Sequence, residues 1–424
     1  MKQTQKSIAI LGGGISGLST GFYLQKLNPS LQFKIFDKNS SVRGGRACTF
    51  RKKVDENIDK YFYFDPGANY LSFDDKFQED LIYNQIFCKD EPDIFLKDLE
   101  KINKPIYLLD KNQNIQKSDK QGLKLTYKTG LSKLSENLAN GMMEKLVFNS
   151  KILSILKNKQ NGKWNIQYED IHNKTTISEE FDIVVSALHP LALQRIQQKN
   201  LEEIKKNQLL IQDEQLQDCL NHIKDINFKK IIAVCLDFKI SKSIFKENEY
   251  KKEFLDFFAL LNLDRENDIS WMCCENDKPG HIPDLINDSN YDYIHLGLTL
   301  QMSNDWSENN MDKDDEYIIQ QALNKMLQII QKEENKQFFN NNLIENAQKI
   351  FELNENIKYK WVKKWEYALQ TQQNDLNSYI KNQNQNSLYF CGDILYPKSR
   401  VSNAFMSGIE TAKKMIQTTL KQNL

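Results

Sequence analysis

The sequence predicts an α/β fold, in which a parallel sheet carries a nucleotide-type turn and a second, α+β unit is inserted between its strands. Three observations lead there. The apolar run SIAIL (7–11) ends in glycines and is followed by helical spacing and a second apolar run, FKIF (33–36). Strand, turn, helix and strand in ~30 residues make one βαβ unit. Near the other end, SLYFC (387–391) runs into Gly392-Asp393, a second strand that stops on a turn. The chain of 424 residues is too long for one simple core, so two units are expected.

The elements follow in order. Over 15–27, Ile15, Leu18, Phe22 and Leu27 keep helical spacing, with Gly17 and Gly21 on a close-packing side. The run 33–36 reads as a strand closed by Asp37, and 61–64 (YFYF) as another leading into Asp65-Pro66-Gly67-Ala68. Residues 75–130 read as mixed, and 130–138 as a helix start. Strands are expected at 146–156, 163–169 and 175–178, and a strong buried one at 181–187 (FDIVVSA). Further strands fall at 231–238 and 293–300, a helix at 315–331, a mixed stretch at 358–365 and a closing helix at 401–420. The run 381–386 (KNQNQN) reads as a solvated loop.

Composition limits the function. Lys+Arg and Asp+Glu both number 57, so no global basic field attracts nucleic acid or anionic lipid. Seven scattered cysteines form no CxxC pair and no zinc spacing, which suits reduced thiols in a cytoplasmic setting and predicts no metal. No stretch approaches ~18 continuous apolar residues, and the N-terminal run is too short for a secretory core, so no membrane contact is expected.

Gly12, Gly14 and Gly17 form G-x-G-x-x-G between the first strand and its helix. The first glycine allows the tight turn, the second the approach of a pyrophosphate, the third close helix–sheet packing. The helix N-terminus at Ile15 and Ser16 offers free N–H groups to phosphates. Asp37, twenty residues beyond Gly17 and next to Lys38, suits ribose hydroxyls. Gly44-Gly45-Arg46 adds glycines and a guanidinium suited to phosphate; alone, Arg46 would be a solvated charge. Asp393 either bonds sugar hydroxyls at the carboxyl edge of the sheet or caps its own turn.

With these residues in view, the run 8–46 resembles the FAD-binding start of the flavin amine oxidase superfamily, where the arginine after the double glycine contacts the cofactor. The resemblance implies non-covalent FAD rather than NAD, and a glutathione-reductase/amine-oxidase type of Rossmann-like domain. A narrower resemblance is to renalase-like proteins: Asp65 to Tyr70 is similar to the segment that lies against their flavin, so Gly67, Ala68, Asn69 and Tyr70 are implied at the cofactor. Ser270-Trp271 with Lys278-Pro279-Gly280-His281, and Lys364-Trp365-Glu366-Tyr367-Ala368-Leu369, resemble two further stretches. There His281 and Glu366 stand where arginine is usual, which removes positive charge. Leu388 to Asp393 and the helix from Val401 through Ala404 resemble the C-terminal flavin motif. Ile152 matches a backbone contact to adenine; as structure alone it is a strand hydrophobe.

The resemblance implies a FAD-dependent oxidoreductase: hydride transfer from a dihydronicotinamide isomer to flavin N5, with molecular oxygen reduced to hydrogen peroxide. An amine oxidase or a desaturase on the same scaffold is the alternative. A flavin-free protein of the Rab-escort or GDP-dissociation-inhibitor kind, or a non-catalytic binding protein, is the alternative of another class. No clear catalytic dyad stands out. Lys278, as a holder of water near the flavin, and His189, as a general acid/base, are candidates, each with an ordinary structural alternative. Tyr70, Trp271, Trp365 and Tyr367 either line a substrate cavity or pack. The expected domains are a discontinuous FAD-binding unit, 1–74, 130–200 and 355–424, and a substrate unit, 75–129 and 201–354, built on an antiparallel sheet.

Overall fold

The computed structural model describes residues 6–56, 58–118, 122–223, 228–245, 253–262, 266–283, 292–351, 356–370 and 387–420. The run 381–386 lies outside the described residues. A five-stranded parallel sheet stands at the centre of one half of the molecule. Its order is Leu388–Phe390, Ile183–Ser186, Ser7–Leu11, Gln32–Phe36 and Leu146–Val147. Both faces of this sheet are covered, which is why its strands read as near-continuous apolar runs. Ile8, Ile10, Ile35 and Val185 point to a layer of three helices, Ile15–Leu27, Ser132–Ala139 and Val401–Met415. Ala9, Leu11, Phe36 and Val184 point to a four-stranded antiparallel sheet around Ile155, Trp164 and Ile166.

The first and last helices of the described chain touch. Their contact is tight: a Cβ on Gly408 would lie 1.9 Å from Ser19 Oγ, and that hydroxyl donates to Phe405 O at 3.1 Å. Two segments nearly 400 residues apart in sequence thereby close one layer.

The other half is a seven-stranded sheet whose long strands Phe228–Ser241, Tyr293–Met302 and Ile357–Gln370 are antiparallel neighbours. One face packs on the amphipathic helix Asp315–Gln331 through Leu236, Phe238, Leu298 and Leu300. The opposite face, carrying Cys235, is covered by the hairpin Phe50–Asp55 and Ile58–Phe64.

Several expectations need correction. The run 146–156 is two strands: Leu146–Val147 in the parallel sheet and Ser150–Asn158 in the antiparallel one. Asn149, at φ 56°, turns the chain between sheets, a conformation that asparagine tolerates. The mixed stretch 358–365 is a single strand, Ile357–Gln370, bonded into the seven-stranded sheet rather than into the nucleotide-type half. Nine of its fourteen residues are half-buried, with lysines on both faces, so no clear two-residue alternation marks it. Conversely Ile82, Ile86, Phe87 and Phe95 pack into the helical layer of the parallel sheet, and Leu216, Cys219 and Leu220 pack on its other side. The closing helix is α-helical to Met415 and widens to a π-turn over Ile416–Leu420. An unforeseen helix, Pro190–Lys206, follows the strand Ile183–Ser186, with proline at its first position. All seven cysteines are free. Among the described residues no helix is long and apolar enough to cross a membrane.

Candidate functional site

Four parallel strands end on one cleft of about 1550 Å³ between the two halves. Gly12 follows the first, Asp37 the second, Ala187 to His189 the third and Cys391 to Asp393 the fourth, and all of them line it. The carboxyl edge of an open parallel sheet is where ligands bind. The edge strand Ile357–Gln370 of the seven-stranded sheet forms the facing wall, with Lys363, Trp365 and Tyr367 among its contributions.

The three glycines of the turn have different reasons. At Gly12 φ is +111° and a Cβ would lie 2.8 Å from Ala187 O. At Gly17 a Cβ would lie 1.9 Å from Gly12 O, so the helix can approach the turn only without a side chain. Gly17 is therefore buried under the turn and does not line the cleft. Gly14 has an ordinary backbone conformation (φ −76°, ψ 179°), and a Cβ there would meet no protein atom within 4 Å. Its α-hydrogen faces open cleft at a helix N-terminus, where Ile15 and Ser16 also line the wall.

Asp37 is held by its neighbours. Its Oδ1 accepts from Asn39 N at 2.7 Å and Asn39 Nδ2 at 2.8 Å, while its main chain bonds Val147 O and Ser150 N. Burial raises its pKa, against the lowering effect of these hydrogen bonds. Lys38 and Ile152 line the same end. Across the cleft Arg46 Nη2 pairs with Asp393 Oδ1 at 2.5 Å, and its Nη1 donates to Ala368 O at 2.8 Å. This pair joins the two ends of the chain beside Gly45 and Gly392. Val401 and Ala404 bring a second helix N-terminus to the cleft.

His189 lines the cleft at the start of the helix Pro190–Lys206, stacked on Tyr367 (5.2 Å, 26°) and 4.2 Å from Phe228. Leu191 N donates to its Nδ1 at 3.4 Å, which assigns the proton to Nε2. That Nε2 finds no partner among the described residues. Burial first, then Arg46 and Arg195, depress its pKa to about 3, so the ring is neutral and a donor at neutral pH. Arg195 was not singled out from the sequence. It bonds the Tyr367 hydroxyl and lies 3.7 Å from the exposed Glu366, so the strand end that carries Glu366 is faced by an arginine from the helix Pro190–Lys206. Only the fold brings these residues together.

Gly67 and Ala68 line the cleft, but the chain then turns inward. Asn69 is buried, donating to Gly67 O at 3.0 Å and accepting from Cys273 Sγ at 3.0 Å. Tyr70 stacks on Trp271 (5.9 Å, 27°) against Phe258, in an aromatic cluster on the far side of the turn. Asn69, Tyr70 and Trp271 therefore do not line the cleft, whereas Trp365 and Tyr367 do. Trp365 Nε1 donates to Pro66 O at 3.2 Å, and Gln301, also missed by sequence reading, donates to Pro66 O at 3.0 Å and Gly67 O at 2.6 Å.

Lys278 does not reach the cleft either. Its ammonium is fully buried, 3.2 Å from Asp65 Oδ2 and 3.0 Å from Glu275 Oε2. Burial opposes its charge, but the two carboxylates outweigh burial and raise its pKa. A lysine so paired is no holder of cleft water. His281 is buried beside it, in the interior and not in the cleft.

Among the described residues the cleft is cationic: ten lysines and arginines but five aspartates and glutamates line it, in a chain of zero net charge. Among the described residues no group of His, Cys, Asp and Glu is arranged to hold a metal ion.

Comparisons with known proteins agree with the architecture. Residues 10–79 match the family of NAD(P)-binding Rossmann-like domains. No curated protein sequence matches the chain. Among solved structures, the crystal structure of a candidate protoporphyrinogen oxidase from Exiguobacterium sp. 255-15 superposes with a TM-score of 0.62 at 14% identity, covering 97% of this chain and 99% of that one. A triple mutant of putrescine oxidase, redesigned in its cofactor binding, superposes with a TM-score of 0.60 at 11% identity and the same coverage. The chain therefore has, end to end, the mixed α/β fold of these two structures, with a Rossmann-like unit at its start.

Proposed function

We propose that this protein is an oxidoreductase that holds FAD without a covalent bond. The observation that carries the reading is the cleft itself, where the Gly12–Gly17 turn and Arg46 meet Asp393 from the other end of the sequence. The residues fit an extended dinucleotide. Open space over Gly14 beside a helix N-terminus suits a pyrophosphate, and Arg46 suits its charge. Asp37 would accept hydrogen bonds from ribose hydroxyls and the backbone at Ile152 would meet adenine. Asp393 would meet the ribityl chain. Gly67, Ala68 and the helix beginning at Val401 would then border the flavin. The chemistry that a bound flavin supplies is acceptance of a hydride from a substrate carbon, with two electrons passing on to oxygen to give hydrogen peroxide.

The finer reading is oxidation of dihydronicotinamide isomers. Two observations favour it over amine oxidation. The excess of cations around the cleft attracts an anionic dinucleotide and repels a polyamine. In addition, the carboxylate between Trp365 and Tyr367, Glu366, faces Arg195 at 3.7 Å, and hydride transfer from an activated ring needs little acid/base help. The neutral His189 would serve as a donor to a bound oxygen rather than as a base.

The test is direct. Purified protein should be yellow, absorbing near ~450 nm as its cofactor does. Anaerobic mixing with dihydronicotinamide isomers should bleach it, and mixing with mono- or polyamines should not. Protein that stays colourless and takes up no added FAD would overturn the cofactor reading; bleaching by amines alone would overturn the substrate reading.

A further inference from the structure

Beneath the Gly67 wall lies a buried cluster of four ionisable side chains, Asp65, Glu275, Lys278 and His281, each with no solvent exposure. Lys278 bonds both carboxylates. His281 lies between them: Nδ1 is 2.9 Å from Glu275 Oε2, and Nε2 is 3.1 Å from Tyr127 O, 3.3 Å from Thr126 Oγ1 and 3.9 Å from Asp65 Oδ2.

We propose that His281 is held as an imidazolium, supplying the second cation of a charge-balanced buried tetrad that positions the Asp65–Gly67 wall of the cleft. The hydrogen bonds require it. A carboxylate and a peptide carbonyl both only accept, and they face the two ring nitrogens. A neutral ring has one N–H, so one nitrogen would set its lone pair against an oxygen lone pair. The Thr126 hydroxyl has Tyr127 O as an acceptor of its own at 3.4 Å, so it and Nε2 both face that carbonyl. Glu275 is ionised, since apart from His281 it already accepts from the Lys278 ammonium at 3.0 Å and from Thr299 Oγ1 at 2.5 Å. Asp65 accepts from Thr49 Oγ1 at 2.6 Å, Leu131 N at 3.1 Å and Lys278. Two buried carboxylates against Lys278 alone would leave one charge uncompensated in the interior, which is strongly unfavourable.

The tetrad ties together the end of the first hairpin, the segment before the helix Ser132–Ala139, and the seven-stranded sheet. Asp65 immediately precedes Pro66 and Gly67, whose carbonyls are fixed by Gln301 and Trp365. His281 thus acts on the cleft through Asp65 and Glu275, as a positioning residue. The groups facing it are Glu275 and Lys278 from its own segment, Asp65 and the Tyr63 ring (6.3 Å) from the hairpin, and Thr126 and Tyr127 from the segment that also carries Lys128 beside Gly280. Thr299 and Cys273 reach it through Glu275.

The full-length protein with ¹⁵N-labelled histidine, compared with His281→Gln for assignment, should show both His281 nitrogens protonated at pH 7. A neutral tautomer at that pH would overturn the proposal, and this arm does not depend on which cofactor the cleft holds. The second arm rests on the FAD reading. His281→Gln should weaken FAD retention at least tenfold, and the double variant His281→Gln with Glu275→Gln should recover most of it by restoring neutrality. A double variant no better than the single would also overturn the charge argument. Wild-type protein that binds no FAD would defeat the proposed function while leaving the histidine spectrum to decide this inference.

Discussion

Gly14→Ala separates ligand binding from folding. Of the three turn glycines it alone has a backbone conformation open to any residue and no protein atom within 4 Å of the added Cβ. It is the N-cap of the helix Ile15–Leu27, where alanine is worse than glycine by up to about 1 kcal/mol. For a chain of this size that is a shift in Tm of no more than about 2–4 °C. The new methyl would stand in the cleft, in the space assigned to the pyrophosphate. Its carbon needs about 3.5–4 Å from any non-bonded atom, so phosphate oxygens approaching the bare glycine would be displaced. A loss of one or two phosphate hydrogen bonds, each about 1.5–3 kcal/mol for a charged acceptor, corresponds to FAD binding weaker by at least about tenfold. Gly17→Ala is the control, since its Cβ would overlap Gly12 O at 1.9 Å and should cost roughly 1–3 kcal/mol of stability as well. The assay is fluorescence titration of apoprotein with FAD, beside thermal melts of the same samples. If Gly14→Ala binds FAD within twofold of the wild type, the pyrophosphate does not lie over Gly14 and the cleft reading is wrong at its centre.

Three further outcomes are expected. Arg46→Ala should lose FAD on dialysis while keeping its fold, because the ion pair with Asp393 is a third exposed on the arginine side and worth about 1 kcal/mol or less; full retention would refute the phosphate role. Lys278→Met should destabilise by about 3–5 kcal/mol in urea unfolding, since it leaves two buried carboxylates short of a cation; a change under 1 kcal/mol would show that they are not ionised. His189, neutral when folded, contributes stability that is present above its unfolded pKa near 6.5 and lost as pH falls towards its folded value of about 3. His189→Asn should therefore flatten the stability–pH curve on that limb, by roughly 3 kcal/mol at pH 4.5, and an unchanged curve would mean that the ring already carries a proton.

Most of the nucleotide-type half was legible because its signals are local. A buried parallel strand is an apolar run, and a glycine turn between strand and helix is readable without knowing what it packs on. The helix Asp315–Gln331 was equally plain, since its apolar face repeats every three to four residues. The boundaries between units were not legible. Ile357–Gln370 is an edge strand with one wall in the cleft, so Trp361, Lys363 and Trp365 alternate with residues that are themselves half-buried, and the two-residue period disappears. The split at Asn149 depends on one residue with positive φ, which no pattern of hydrophobicity marks.

The site divides along the same line. Gly12, Gly14, Asp37 and Asp393 each lie at the end of a parallel strand or in the turn beside one, so a position in sequence was already a position at the cleft, and Arg46 reaches it from the short turn Gly45–Ala47. The segment from Gly67 to Tyr70 shows the limit of that logic: adjacency carried Gly67 and Ala68 to the cleft, but the next two side chains turn to the opposite side of the backbone. The two positions where the renalase-like resemblance expects arginine diverge further. Glu366 stands at the rim, where Arg195 from the helix Pro190–Lys206 supplies a positive charge, so the local charge is a property of the fold and not of that stretch. His281 is beneath the wall, where the requirement is for a buried cation beside Asp65 and Glu275, and an imidazolium with two N–H donors meets it in less volume than a guanidinium. A charge lost on paper is thus restored once by a neighbour and once by protonation, and neither restoration can be read from the residue that changed.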